Sequence, residues 1–283
     1  MSNLALYRDY RPQKFTEILG QDSTVSALKN AVKRQKLAHA YLFYGSRGTG
    51  KTTTARILAK VVNCFNAKDA KACEKCSSCS AAKTGNAFDV VEIDAASNNG
   101  IDSVREIREK VKILPIQSKY KFYIIDEIHM LSNSAFNALL KTLEEPPIHV
   151  IFILATTEYY KVPITVRSRC QQYEFKLISE RLICQNLTYI LKTKKILFDE
   201  EALTSIYQLS GGSLRDALTL LEKVIIFSDK RKITLQSVNR NFGLATKQQI
   251  LQMLRAILKE NLVDQLDLIK KLKNFNIDCY HFL

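Results

Sequence analysis

Gly45-Ser46-Arg47-Gly48-Thr49-Gly50-Lys51-Thr52 is the stretch on which the reading of this chain turns. It follows the apolar run Ala40-Tyr41-Leu42-Phe43-Tyr44 and precedes Thr53-Thr54-Ala55-Arg56-Ile57-Leu58-Ala59, so a strand enters the loop and a helix leaves it. G-x-x-x-x-G-K-T is the pattern of a phosphate-binding loop, in which glycines let backbone N–H groups close around an oxyanion without Cβ clashes. Lys51 has the reach to meet β- and γ-phosphates, and the Thr52 hydroxyl is a ligand for Mg²⁺. The helix N-terminus adds the partial positive charge that a triphosphate favours. Gly45, Ser46, Arg47, Gly48, Thr49, Gly50, Lys51, Thr52 and Thr53 are therefore the candidate contacts to ATP. The plain alternative is a glycine-rich turn before a lysine, and the flanking strand and helix argue against it.

A phosphate loop of this kind needs acidic partners, and the run Lys121-Phe122-Tyr123-Ile124-Ile125-Asp126-Glu127 supplies them at the end of an apolar strand. Asp126 is placed to hold Mg²⁺ through its waters, and Glu127 to polarise the water that attacks the γ-phosphate. Two further apolar runs read as strands, Phe88–Asp94 and His149–Ala155, and a fifth follows at Gln171–Phe175. Between them lie helical patterns: Ile101, Val104, Ile107 and Val111 before Pro115, and Phe136, Leu139, Leu140 and Leu143 before Pro146-Pro147. Strands alternating with helices predict an α/β domain, a parallel five-stranded sheet covered on both faces with nucleotide at its carboxyl edge. Thr156-Thr157 ends the fourth strand, where a hydroxyl is placed to sense the γ-phosphate or simply to close a turn.

The chain has 7 cysteines, four of them at Cys64, Cys73, Cys76 and Cys79 with spacing C-x8-C-x2-C-x2-C. Disulfides do not suit a reducing cytosol, whereas four thiolates surround one Zn²⁺ tetrahedrally and leave no open position for water. A structural zinc knuckle is expected, with unliganded buried thiols as the alternative. Cys170, Cys184 and Cys279 are isolated and read as core residues.

At 283 residues, with 46% apolar and 25% charged side chains, the chain is an ordinary globular mixture long enough for two or three domains. Its 42 Lys+Arg against 28 Asp+Glu give a formal charge of +14, which suits polyanionic partners as well as simple solubility. Arg8, Asp9, Arg11, Lys14 and Glu17 interrupt any signal-peptide core, and no run reaches the length of a membrane span, so a soluble cytoplasmic protein with no membrane partner is expected. Tyr7-Arg8-Asp9-Tyr10-Arg11-Pro12 suits either an adenine cover, through Tyr7 and Arg8, or a packed surface arm. Asp22 or Ser23 can cap the helix that follows, with Val25, Leu28 and Val32 on its apolar face.

From Ser179 the strand pattern gives way to helices. Ser179, Asp199 and Ser213 are their expected caps, Gly211-Gly212 closes the second, and a short fourth lies near 236–242. Residues 247–283 begin another helical unit on Ile250, Leu251, Leu254 and Leu258, then Leu262, Leu266, Ile269 and Leu272. Its last residues, Tyr280-His281-Phe282-Leu283, are apolar and read as mid-element.

These motifs together resemble the gamma/tau family of bacterial DNA polymerase III, the motor of the sliding-clamp loader in the AAA+ class. The likeness rests on GSRGTGKTTTAR at 45–56, the four cysteines, EIDAASNNG at 92–100, IDEIHMLS at 125–132, FNALLKTLEEPP at 136–147, LATT at 154–157, SRC at 168–170 and GGSLRDAL at 211–218. It implies an AAA+ P-loop core over 1–178 with the zinc insertion at 64–79, a helical lid over 179–243, and the start of a helical collar over 244–283. It implies an ATPase that loads a sliding clamp onto primer–template DNA, in a ring with delta and delta-prime subunits. Nothing in the chain looks like a nucleotidyl-transfer site, although the family belongs to the polymerase holoenzyme. By the same resemblance Thr157 falls at the first sensor position, Arg215 at the second, and Arg169 at an arginine finger acting on a neighbour's ATP. Arg105 and Lys141 become candidates for tracking the DNA backbone, their alternative being ordinary solvated cations. Two other readings remain: a branch-migration helicase motor, which is not expected to carry the cysteines, and a zinc-dependent DNA-binding scaffold with a merely structural nucleotide site.

Overall fold

Ala40–Phe43, Phe122–Ile125 and Val150–Thr156 have scarcely any surface on either side, and that places them in the middle of a layered fold. The structure, a computed structural model, describes residues 5–227, 232–245, 247–259 and 262–274. Its contacts divide the chain into two compact units, Tyr10–Ile178 and a second that joins Met1–Asp9 to Ser179–Leu283.

The first unit is built on a parallel sheet of β1 (Ala40–Gly45), β2 (Val90–Asp94), β3 (Lys121–Asp126), β4 (Val150–Thr156) and β5 (Gln171–Phe175), in the order β2-β3-β4-β1-β5. Successive side chains of a strand face opposite sides. Tyr41, Phe43, Phe122, Ile124, Ile151 and Ile153 accordingly pack under α2 (Asp22–Lys33) and α3 (Lys51–Val62). On the other face Leu42, Tyr123, Ile125, Phe152 and Leu154 meet α5 (Ile101–Val111) and α6 (Asn133–Glu144). The helices α4 (Ser77–Thr84) and α7 (Ile164–Arg167) are short additions.

In the second unit α1 (Leu6–Asp9) packs on α10 (Leu214–Phe227), beside α8 (Glu180–Thr193), α9 (Glu200–Ser210) and α11 (Leu235–Phe242). Ile183, Leu187, Ile206, Leu221 and Val238 are its buried centre. A two-residue parallel ladder pairs β6 (Leu197–Phe198) with β7 (Lys232–Ile233). The helices α12 (Lys247–Leu258) and α13 (Leu262–Asn274) pack on each other and leave Leu251, Leu254, Leu258, Leu262 and Leu266 exposed. Among the described residues no helix is long and apolar enough to cross a membrane. Cys279 and Tyr280-His281-Phe282-Leu283 lie outside the described residues.

Several expectations change. The span 1–178 given to the core loses its start: the described residues up to Asp9 belong with the helices, because Leu6 is buried there and its N–H donates to Glu222 Oε1 at 3.3 Å. Neither Asp22 nor Ser23 is the cap of α2, whose N-cap is Gln21; the Gln21 amide is spent on Lys176, giving to its carbonyl and taking its N–H. Helix α6 is capped by Ser132, whose Oγ accepts from Ala135 N–H. The strand expected from Phe88 begins at Val90, with Phe88 exposed and Asp89 turned inward. The Asp89 carboxylate accepts the N–H groups of Ile116, Gln117 and Ser118 at 2.8–2.9 Å, fixing the turn that feeds β3. Burial works against its charge, but those donors outweigh burial and hold the carboxyl below its ordinary 3.8.

A depressed carboxyl stabilises the fold above its unfolded value and loses that contribution as the pH falls through the lower folded one. Asp89→Ala should therefore cost about 2 kcal/mol at neutral pH, since three donors lose a charged acceptor. Urea unfolding of both proteins across a pH series should show the gap closing only below about pH 4. A gap independent of pH would contradict the role of the charge.

Candidate functional site

Parallel strands bring their carboxyl ends to one edge, and the loops after β1, β3 and β4 carry the polar groups the sequence singles out. Strand β1 ends at Gly45, where φ is +137° and an added Cβ would lie 2.1 Å from the Phe175 carbonyl oxygen of β5. The loop then turns into α3 through Gly50, which is left-handed at φ +104° in open space; here the conformation, not crowding, asks for glycine. Thr49 Oγ1 donates back to the Ser46 carbonyl at 2.8 Å, and Lys51 Nζ donates to the carbonyls of Gly45 and Ser46 at 2.7 and 2.8 Å. Lys51 is buried, and desolvation lowers its pKa against the opposing pull of Glu127 and Asp126. A group so placed favours added negative charge beside it. Thr52 Oγ1 donates to Asp126 Oδ2 at 2.7 Å, so the two expected Mg²⁺ residues meet directly. Thr53 Oγ1 accepts from Arg11 Nε at 3.0 Å.

Glu127 has a left-handed backbone, φ +48° and ψ +46°, uncommon for a residue with a long side chain. That turn aims it at the end of β4, where Thr157 N–H and Oγ1–H both donate to its Oε2, at 3.3 and 3.0 Å. The expected pair Glu127 and Thr157 is thus in contact. Arg169 is not part of this group. Its guanidinium donates to the Thr165 carbonyl at 2.6 Å and to Glu144 Oε1 of α6 at 2.5 Å, with the side chain one-third exposed. In the helical unit Arg215 stands over the ring of Tyr7 at 5.0 Å, and Tyr7 Oη accepts from Arg8 Nε at 3.2 Å. These three form their own cluster. Arg105 on α5 pairs with Asp102 at 2.9 Å, and Lys141 on α6 is exposed.

The four cysteines converge, their Sγ atoms all within 4.8 Å of one another. Cys73 to Cys79 is 4.0 Å and Cys64 to Cys76 is 3.9 Å. Sulfurs bound tetrahedrally at the usual Zn–S length stand about 3.8 Å apart, so the donor set fits that ion. N–H groups also point at sulfur, from Cys73 to Cys64 Sγ at 3.1 Å and from Cys76 to Cys73 Sγ at 3.3 Å. The backbone N–H groups of Lys75 and Cys76 bring the Cys73 thiol down to about 6, while burial raises Cys64 and Cys79. Cys170, away from this group, is pushed up to about 12 by burial, as suits a core residue.

Sequence reasoning passed over four contributors. His129 and Glu144 stand inside quoted motifs, IDEIHMLS and LLKTLEEPP, but nothing in spacing tells what they touch. Arg11 lies in the aromatic arm without being singled out. Lys60, buried on α3, pairs at 2.6 Å with Glu74 between the second and third cysteines, joining the phosphate-loop helix to the knuckle.

The family described as "DNA polymerase III, delta subunit" matches residues 20–179, and "DNA polymerase III clamp loader subunit, ATPase lid domain" matches 182–230. The chain is 50% identical over 228 residues to DNA polymerase III subunit tau of Bacillus subtilis, covering 81% of this chain and 40% of that protein. It is 41% identical over 283 residues to DNA polymerase III subunit gamma of Buchnera aphidicola (Schizaphis graminum), covering 100% of this chain and 78% of the relative. The chain spans less than half the length of several curated relatives it matches. Among solved structures it is similar to the RuvB Holliday junction branch migration motor of Thermotoga maritima, with TM-score 0.61 at 19% identity, covering 88% of this chain and 79% of that one. At that identity the likeness is one of fold.

Unpairing the buried Lys60 should be felt more than unpairing a surface cation. Glu74→Ala is expected to cost about 3 kcal/mol and Asp102→Ala, which frees exposed Arg105, less than about 1 kcal/mol. Equal shifts in urea midpoint would show that the Lys60 pair is not a buried one in energetic terms.

Proposed function

Because the chain belongs to the gamma/tau family of DNA polymerase III clamp-loader subunits, we propose that it is the ATP-hydrolysing motor that opens a sliding clamp and places it on primer–template DNA. The observation that carries this reading is the single sheet edge on which Lys51, Thr52, Asp126, Glu127 and Thr157 meet, with the first two on the phosphate loop and the last two in hydrogen-bond contact. In the mechanism it supports, Lys51 leaves its loop carbonyls for the β- and γ-phosphates, and Gly45–Thr53 wrap them with backbone N–H groups. Thr52 and Asp126 would hold Mg²⁺, which supplies neutralising charge on the phosphates. Glu127 takes a proton from the attacking water, and Thr157 orients that carboxylate. Tyr7, Arg8 and Arg215 are assigned together to the nucleotide, as one cluster.

Arg169 is assigned to the ATP of a neighbouring subunit, where a cation arriving only on assembly makes hydrolysis depend on the ring. What supports an assembly is the apolar face that α12 and α13 leave exposed, which we assign to the start of the collar over 244–283. Delta and delta-prime subunits, the clamp and DNA are the proposed partners, with exposed Arg105 and Lys141 as candidate phosphate contacts. The four cysteines we assign to one Zn²⁺, held for structure. The cysteine insertion favours this reading over a branch-migration motor despite the shared fold. A scaffold with a merely structural nucleotide would have no use for the Glu127–Thr157 contact.

Lys51→Ala should weaken nucleotide binding by about 100-fold or more, while Glu127→Gln should bind ATP normally and turn over at least about 100-fold more slowly. Fluorescent-nucleotide titration and phosphate release separate the two. Tight binding by the lysine variant, or full turnover by the glutamine one, would overturn the assignment concerned.

Metal analysis of protein purified without chelators should find about one Zn²⁺ per chain. Less than about half an equivalent would count against a four-thiolate site.

A further inference from the structure

His129 is a buried imidazole two residues beyond Glu127, in the turn Ile128–Met130, and the mechanism above gives it no part. The contacts described for both ring nitrogens are with hydroxyl and carboxylate oxygens. Nδ1 lies 3.0 Å from Thr156 Oγ1 and 3.4 Å from Glu127 Oε2, and Nε2 lies 3.2 Å from Glu158 Oε1. The ring cannot rotate without giving up an acidic or hydroxyl partner. Thr156 is itself fully buried and its Oγ1 accepts from Glu158 N–H at 3.0 Å, while Glu158 is steadied by Lys161 at 2.8 Å.

The contacts of Glu127 are one-sided. Among the described residues, both Thr157 donors and the imidazole meet Oε2, and none of the contacts described falls on Oε1. A carboxylate anchored by one oxygen presents the other in a fixed direction, which is what a proton acceptor for a bound water requires. Thr157 alone leaves a pivot, because both of its donors come from one residue. A second group against the same oxygen, from a different element, removes that freedom.

From this we infer that His129 is a positioning residue for Glu127: braced by Thr156 and Glu158, it holds Oε2 so that Oε1 faces the attacking water. The inference rests on the reading of Glu127 as the group that polarises water. His129 touches neither nucleotide-binding residues nor the Thr52–Asp126 pair in the contacts described, so its loss should reach turnover without reaching binding.

The test uses the chain assembled with its proposed delta and delta-prime partners, with and without primed DNA, reading kcat, KM and nucleotide Kd separately. His129→Ala should lower kcat about 10- to 100-fold and leave KM and Kd within about two-fold. His129→Asn, whose amide N–H stands at the level of Nδ1, should recover most of the loss; His129→Gln, whose amide lies further out, should not. In a Glu127→Gln background His129→Ala should produce no further loss, since the group it serves is gone. Wild-type turnover in His129→Ala, or the same fractional loss in both backgrounds, overturns the inference. If the alanine variant fails to fold by circular dichroism, equal kcat values for the Asn and Gln variants overturn it. Full turnover in Glu127→Gln alone would instead remove the assignment of Glu127, whatever His129 does.

Discussion

Burial on both faces is the constraint from which the site follows. Tyr41, Leu42 and Phe43 of β1 are fully enclosed, as are Phe152, Ile153 and Leu154 of β4 beside it. A charged group inside such a layer has no partner and no water, and its cost would exceed what a domain of this size has in reserve. Polar chemistry is therefore driven to the strand ends. Because all five strands run the same way, the ends that follow them in sequence share one edge. The phosphate loop, the Asp126–Glu127 pair and Thr156-Thr157 meet for that reason, although more than a hundred residues separate the first from the last.

The two neighbouring acids at that edge are held in different ways, and the difference separates their tasks. Asp126 keeps an extended strand backbone and is tied to the phosphate-loop helix α3 through Thr52. Glu127 leaves the strand in a left-handed conformation and is tied instead to the end of β4. Strain of about 1–3 kcal/mol at such a position persists only where the surroundings impose it. The Ile128–Met130 turn, closed by Met130 N–H onto the Glu127 carbonyl at 2.8 Å, is part of what imposes it.

Much of this was legible beforehand. Gly45, Gly50, Lys51 and Thr52 are required by local geometry, so their spacing survives in the chain as a pattern, and the buried strands announce themselves as unbroken apolar runs. The cysteines were legible because four of one residue type fall within sixteen positions, and the structure brings their Sγ atoms within 4.8 Å of one another. What escaped depends on contacts between distant segments. Arg169 gives no hint of Glu144, Lys60 none of Glu74, and His129 none of Glu158, since an ion pair leaves no periodicity. Asp89 was misread as strand because apolar neighbours surround it, while its partners lie 27 to 29 residues on. The arm at Tyr7 and Arg8 left two readings open, and what no spacing announced is that Leu6 and Tyr7 pack on α10, with Arg215 over the Tyr7 ring.

That arm makes the helical unit discontinuous in sequence, which matters to anyone wishing to dissect the protein. A fragment beginning at Ser179 would include α10 but not Leu6, whose apolar side chain fills a place on it and whose N–H engages Glu222. Such a fragment exposes the vacated surface to solvent and loses the ring on which Arg215 rests. The converse cut, starting at Tyr10, keeps the sheet unit whole by its own contacts. Two cuts, before Tyr10 and after Ile178, therefore free the sheet unit as one continuous piece, and the same two cuts leave the helical unit as two segments that have to be joined again.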